Sequence, residues 1–244
     1  MVISYICKCL KHICLMKISH ISLILIISIL FFQCKTEKQQ TETKTFVKKK
    51  RSELEKLQPK KWDSLNRRNT NAFLTEFGKQ NKETLVLIKT DFGDIKIRLY
   101  EDVPIHRANF IFLTKIGYFN TTVFYRVAKN FVIQGGNSDE MYTQKERRKY
   151  GNYLLKPEFR KKRTHKYGAI AAARQWEHNP NKLSSPFEFY IVQKRNGAHH
   201  LDNEHTVFGE VISGFDTMEK ISRVKVGVDE WPVDDVKMKI KILD

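Results

Sequence analysis

The stretch Phe124-Tyr125-Arg126-Val127-Ala128-Lys129-Asn130-Phe131-Val132-Ile133-Gln134-Gly135-Gly136 sets one arginine among aromatic residues, with no acid inside it to neutralise the guanidinium. Two uses suit such an arginine. It is the outward residue of a surface strand, or it is a cation kept free in an active site to meet a group the protein does not itself contain. Phe131 admits the same pair of readings, core residue or pocket wall. His199, His200 and His205 lie close together, but no acid or cysteine is fixed beside them at ligand spacing, so they read as loop histidines and no metal is expected. Gly135-Gly136 has no Gly-Lys-Ser downstream and is no phosphate loop. Asp91-Phe92-Gly93 matches a kinase metal-binding triplet, but without a Gly-rich loop or catalytic-loop signature it reads as a hairpin turn.

The remaining composition narrows the class. With 41% hydrophobic residues over 244, the chain can bury one core of roughly 150 to 180 residues and still carry extra segments. Its 44 Lys and Arg against 27 Asp and Glu leave a formal charge of +17, enough to attract acidic polymers or anionic lipid surfaces. Much of that excess sits in runs such as 47–51, 145–149 and 159–166, which read as solvated faces, so no specific nucleic-acid partner is expected. All four cysteines, Cys7, Cys9, Cys14 and Cys34, precede the folded part, which therefore has neither disulfide nor thiol chemistry.

Residues 18–32 form a 15-residue apolar run, short for a membrane span and suited to the core of a secretory signal. Met16 and Lys17 supply a compact positive start, making Met16 a candidate initiator and 1–33 a leader. Cys34 follows the run where bacterial lipoproteins carry the lipidated residue, although Phe31-Phe32-Gln33 lacks the usual small residues. The favoured expectation is a lipid-anchored protein of a bacterial cell envelope, facing periplasm or exterior; secretion as a soluble protein, an uncleaved anchor and a cytoplasmic location are the alternatives. Residues 34–50 read as a flexible tether and 51–82 as a helical extension interrupted at Pro59.

From 83 to 244 the elements are short. Runs 85–90 and 95–100 form a hairpin about Asp91–Asp94; Pro104 to Lys115 is a helix with Pro104 at its start and Gly117 beyond its end. Apolar runs follow at 122–127, 131–133, 168–173, 187–192 and 206–211, with a helix expected within 212–222. The chain closes on Val236, Met238, Ile240 and Ile242 alternating with lysines, a half-buried strand. Many short strands and few helices predict a mainly β barrel or sandwich.

FYRVAKNFVIQGG resembles the signature of the cyclophilin-type peptidyl-prolyl isomerases, commonly Phe-His-Arg-Val-x-x-x-Phe-x-Ile-Gln-Gly-Gly. Leu201-Asp202-Asn203-Glu204-His205-Thr206-Val207-Phe208-Gly209 resembles the family's Leu-Asp-Gly-Lys-His-Thr-Val-Phe-Gly, and 168–174 and 184–191 are similar to two further blocks in the same order. The resemblance implies a closed eight-stranded antiparallel barrel capped by two helices, with an outer groove for an Xaa-Pro segment. It implies that Arg126 is catalytic, that Phe131, Val132, Tyr190, Leu201 and His205 line the proline pocket, that Gln134 holds the peptide backbone, and that Ala172, Ala173 and Arg174 border a neighbouring sub-site. His200 and Glu188 fall at further substrate-binding positions.

That chemistry is reasonable for an unneutralised arginine. Twisting an Xaa-Pro bond breaks the conjugation of nitrogen with the carbonyl and leaves a lone pair on the nitrogen. A guanidinium that donates to this nitrogen binds the twisted form better than either planar one, which is what catalysis needs, and no cofactor is involved. The departures from the family pattern are Tyr125 for histidine, His200 for tryptophan, Ala172 for methionine and Glu188 for glutamine. Glu188 either pairs with Arg126 and withdraws it from substrate, or faces solvent and selects basic residues beside the proline. The loop from Asn137 to Glu158, carrying Lys145, Arg147, Arg148 and Lys149, reads as a solvated insertion or as a dock for acidic segments or envelope polysaccharide. The expected function is a monomeric isomerase acting on proline-containing unfolded or exported polypeptides; the alternative is a catalytically weak or inactive proline-peptide-binding scaffold or chaperone.

Overall fold

The computed structural model describes residues 65–243; the leader, Cys34, the tether and residues 51–64 of the expected extension lie outside the described residues. In chain order the elements are α1 (Thr70–Gln80), β1 (Leu85–Thr90), β2 (Gly93–Leu99), α2 (Pro104–Lys115), β3 (Val123–Ala128), β4 (Val132–Asn137), α3 (Met141–Lys149), β5 (Ala169–Ala172), β6 (Phe189–Val192), β7 (Val207–Ser213), α4 (Phe215–Ile221), β8 (Val236–Lys237) and β9 (Lys239–Leu243). Short 3-10 turns cover Tyr118–Thr121 and His199–Leu201.

All strands pair antiparallel in the order β8-β3-β4-β6-β5-β7-β2-β1-β9. The result is a nearly closed barrel of nine strands rather than a fully closed one of eight. The difference arises at the C-terminus, where β8 pairs with β3 at one edge and β9 with β1 at the other. The alternating run read from the sequence must cross between the two edges, and it breaks at Met238 to do so. Its apolar face is nonetheless the expected one, with Val236, Met238 and Ile240 buried and Lys237, Lys239 and Lys241 exposed.

Register explains the layering. Ile88 lies opposite Ile95 on one side and Ile240 on the other, and Val86 opposite Ile97 and Ile242. Period-two alternation puts these β-branched side chains into one interior. An aromatic cluster fills the rest: Phe110 is 4.7 Å from Phe119 and 5.4 Å from Phe189 between ring centres, and Phe119 meets Phe189 edge-on.

Four α-helices occur among the described residues: α2 and α4 fall where two helices were expected within 83–244, α1 falls within the 51–82 segment read as a helical extension, and α3 was not expected. α2 has the span expected from sequence and is buried from His106 through Thr114, because it packs between the barrel and α1. Phe73 and Phe77 of α1 both meet Phe112 of α2 edge-on. Arg107, itself buried, donates to the carbonyls of Gly78, Asn81 and Glu83, satisfying acceptors at and beyond the end of α1. At the N-terminus of α2, Glu158 accepts from the backbone N–H groups of Ile105 and His106 and from the His106 ring. Burial opposes ionisation of Glu158, but these donors outweigh it and hold its pKa down. The loop after Asn137, expected to be a solvated insertion, contains α3. Among the described residues no helix is long and apolar enough to cross a membrane.

Candidate active site

Three neighbouring strands carry the first residues of the site. Arg126 on β3 lies opposite Gln134 on β4, and Gln134 lies opposite Tyr190 on β6. Between Phe124 and Arg126 the register slips, so that Phe124 faces Gly135 while Arg126 faces Gln134, with Tyr125 as the extra residue. A bulge of this kind re-aims side chains. Phe124 is fully buried, whereas Tyr125 and Arg126 are both only half-buried, a departure from simple alternation.

The β3–β4 turn supplies the next residue. Asn130 takes φ 57°, a left-handed conformation that asparagine tolerates, and Phe131 follows. The Phe131 carbonyl accepts from the N–H groups of Gln193 and Lys194, which ties the turn to the end of β6. The glycines after Gln134 have packing reasons. A Cβ on Gly135 would lie 2.6 Å from the Met238 methyl; one on Gly136, whose φ is 94°, would lie 2.0 Å from the Phe187 carbonyl oxygen.

The opposite wall comes from the 3-10 turn and the loop after it. His200 stacks on Phe131 with ring centres 5.6 Å apart. His205 Nδ1–H donates to the Ala172 carbonyl at 3.0 Å, and its ring stands edge-on to Tyr190. Burial pushes His205 down to about 4, against the opposing effect of that hydrogen bond, so the ring is neutral at pH 7. The loop itself is clamped by Arg174, which donates to the Glu204 carbonyl at 2.8 Å and to its carboxylate at 2.7 Å.

These groups converge on one cavity of about 460 Å³ lined by Arg126, Phe131, Val132, Gln134, Ala173, Arg174, Trp176, Tyr190, His200, Leu201 and His205. Aromatic and apolar side chains thus surround the Gln134 amide and two guanidiniums, the half-buried Arg126 and the buried Arg174 held by Glu204. A larger cleft of about 740 Å³ at the barrel seam, beside Lys89 and Lys239, contains none of these groups, so size is no guide to the site here. Among the described residues no group of three or more His, Cys, Asp or Glu is arranged to hold a metal ion.

Two expected site residues lie elsewhere. Ala172 is behind the wall, contributing only its carbonyl to His205. Glu188 is on the far side of Tyr125: Arg147 of α3 donates to its Oε1 at 2.7 Å, and the Tyr125 hydroxyl donates to its Oε2 at 3.2 Å. Neither sequence alternative for Glu188, pairing with Arg126 or facing solvent, describes it. Arg126 pairs instead with Glu230, Nη2 to Oε2 at 2.7 Å, and its Nη1 donates to Gln134 Oε1 at 3.3 Å. The Gln134 amide in turn donates to the Tyr125 hydroxyl. Burial, with Glu188 adjacent, raises the pKa of Tyr125 and keeps it a neutral phenol.

Four contributors were not read from the sequence. Trp176 stands at the rim, 58% exposed as a residue, its ring edge-on to His205 and stacked under the Arg174 guanidinium at 4.2 Å. An exposed tryptophan in a polar loop was the available signal. Glu230 sits in an acidic run of a basic chain, Val228-Asp229-Glu230-Trp231-Pro232-Val233-Asp234-Asp235. The buried His165 and the half-buried Asp202 form a support: the Tyr190 hydroxyl donates to His165 Nε2 at 2.9 Å, and His165 Nδ1–H donates to Asp202 at 2.7 Å. Burial lowers the pKa of His165, and this neutral tautomer locks the Tyr190 ring that lines the pocket.

The model of the cyclophilin type peptidyl-prolyl cis-trans isomerase/CLD family matches residues 85–241, and the chain belongs to that family. A peptidyl-prolyl cis-trans isomerase of Acinetobacter baylyi is 33% identical over 171 residues, covering 66% of this chain and 87% of its own length. The peptidyl-prolyl cis-trans isomerase-like 2 of Rhizopus delemar is 32% identical over 177 residues, covering 70% of this chain but only 32% of its own length. A Cryptosporidium parvum cyclophilin type isomerase crystallised in the presence of the dipeptide Ala-Pro superposes with a TM-score of 0.56 at 26% identity, over 66% of this chain and 99% of that one.

Proposed function

We propose that this chain binds Xaa-Pro segments in the cavity between Arg126, Phe131 and His205, and that its isomerisation of them is attenuated because Arg126 is already engaged. The observation that carries the reading is the 2.7 Å ion pair between Arg126 and Glu230 beside the cavity lined by Arg126, Phe131, Tyr190, Leu201 and His205. Phe131, Tyr190, Leu201 and the neutral His205 offer an apolar seat for a pyrrolidine ring, and Gln134 offers an amide to the peptide backbone. The guanidinium must leave Glu230, in part, before it can donate to a twisting prolyl nitrogen. That cost falls on the transition state, so binding survives better than rate.

A full isomerase is the second reading. It is favoured by the capture of Glu188 by Arg147 and Tyr125, which directs that carboxylate to partners other than Arg126. Display at a bacterial cell envelope, through the 1–33 leader and a lipid on Cys34, would supply exported polypeptides as clients, whose folding prolyl isomerisation can limit.

The test measures two quantities on the full chain: peptide affinity, and the cis-trans relaxation rate of short Xaa-Pro peptides, each with and without Arg126→Ala. Binding with slow catalysis that drops a further ~10²-fold in the variant supports the attenuated reading. Binding with no Arg126-dependent catalysis makes the chain a scaffold alone, and absence of binding sinks the proposal.

A further inference from the structure

Glu230 does not reach Arg126 by chance of side-chain wandering. Val127 N–H on β3 donates to the Glu230 carbonyl at 2.8 Å, Glu230 N–H donates to Gly227 O at 3.2 Å, and Gly227 N–H donates to Trp231 O at 2.8 Å. A bridge between Val226 and Pro232 closes this turn, and the Trp231 ring packs on Tyr125 with centres 5.4 Å apart. Within it Glu230 holds φ 63°, a conformation that glutamate adopts only when its surroundings impose it. The turn therefore presents a carboxylate to the active-site arginine from a backbone that has little room to withdraw.

The pair lies at the mouth of the site, with side-chain exposures of 35% for Arg126 and 43% for Glu230. When a peptide draws the guanidinium away, Glu230 stays beside it with its partner lost. A lysine or arginine next to the proline replaces that partner; an aspartate or glutamate meets repulsion. The surrounding segment reinforces the sign, since Asp229, Glu230, Asp234 and Asp235 have no lysine or arginine among them in a chain whose formal charge is +17.

Resting on the peptide-binding reading above, we infer that Glu230 is the specificity-determining residue of this site, selecting Xaa-Pro segments flanked by a basic residue over neutral ones and rejecting acidic ones. Glu230 touches the substrate's neighbour and not the bond that rotates, so it acts by discriminating between flanks while Arg126 acts on the proline.

The test uses the full chain and matched tetrapeptides with Lys, Ala or Glu on either side of the proline, read by relaxation rate and by binding, at low and high salt. The expected order is Lys, then Ala, then Glu, with about fivefold between the extremes at low salt, shrinking as salt screens the half-exposed pair. Glu230→Gln is expected to flatten the order and to raise the rate on the Ala peptide, and Glu230→Lys to reverse it. A flat order in the parent protein, or one that survives Glu230→Gln, overturns this inference while leaving the peptide-binding reading intact. If the parent neither binds nor accelerates any peptide, both are overturned.

Discussion

Glu188 is held by Arg147, and removing that cation exposes what the pair contributes. Arg147 Nη2 to Glu188 Oε1 is 2.7 Å, with side-chain exposures of 21% and 20%. Arg147 also donates to Asn137 at 3.1 Å and lies 4.9 Å above the Phe187 ring. Breaking a fully buried pair costs about 3–5 kcal/mol, and an exposed one is worth about 0.2–1 kcal/mol. With a fifth of each side chain still in water, Arg147→Ala is expected to cost about 2–3 kcal/mol, including a fraction of a kcal/mol for the lost cation–π contact. Glu188→Gln leaves an arginine that still has Asn137, Phe187 and solvent, and is expected to cost about 1 kcal/mol. The double variant removes both charges, so it is expected to be more stable than the sum of the two by roughly 1–2 kcal/mol. Urea denaturation of the four proteins, read as midpoints at constant m, measures that coupling. The same network joins Glu188 to Arg126 through Tyr125 and Gln134. Arg147→Ala should therefore also slow isomerisation, and the double variant should recover it. A coupling below about 0.5 kcal/mol, the scatter expected of independent sites, refutes the reasoning.

Trp176→Ala is expected to weaken peptide binding about fivefold, the worth of one rim aromatic, and to change stability by less than about 0.5 kcal/mol because the residue is mostly exposed; unchanged affinity would remove Trp176 from the site. His205 is pushed down to about 4 by burial and has an unfolded value near 6.5, so the unfolded chain takes up the proton first. Its contribution is fully present above about pH 6.5 and is lost as pH falls towards about 4, a change of roughly 3 kcal/mol. Denaturation of the parent and of His205→Asn between pH 7 and pH 4 measures this. Equal pH slopes in the two would show that the histidine is not buried neutral.

Local readings succeeded where one element carried its own explanation. α2 needs only Pro104 at its start, Gly117 just beyond its end and the apolar run between them, and it forms from Pro104 to Lys115. The hairpin about Asp91–Asp94 pairs Thr90 with Gly93, whose φ of 126° suits glycine alone. Readings failed where a partner far away in sequence decides the outcome. α3 has little apolar residue content, and what holds it includes Arg147 reaching Phe187 and Glu188, some 40 residues on. The break at Met238 is invisible in an unbroken alternation, because it reflects the two sheet edges the run must join.

The site divides along the same line. By itself the sequence determined the ordered blocks that place Arg126, Phe131, Gln134, Tyr190, Leu201 and His205 in one family, since each block repeats a short pattern whose residues are neighbours along the chain. Only the tertiary structure decided which acid Arg126 meets. Glu188 and Glu230 were both available by charge, and nothing in their local sequence ranks them. Arg147 takes the first, and the turn bonded to Val127 delivers the second, because an ion pair is set by distance in space and burial rather than by separation in sequence.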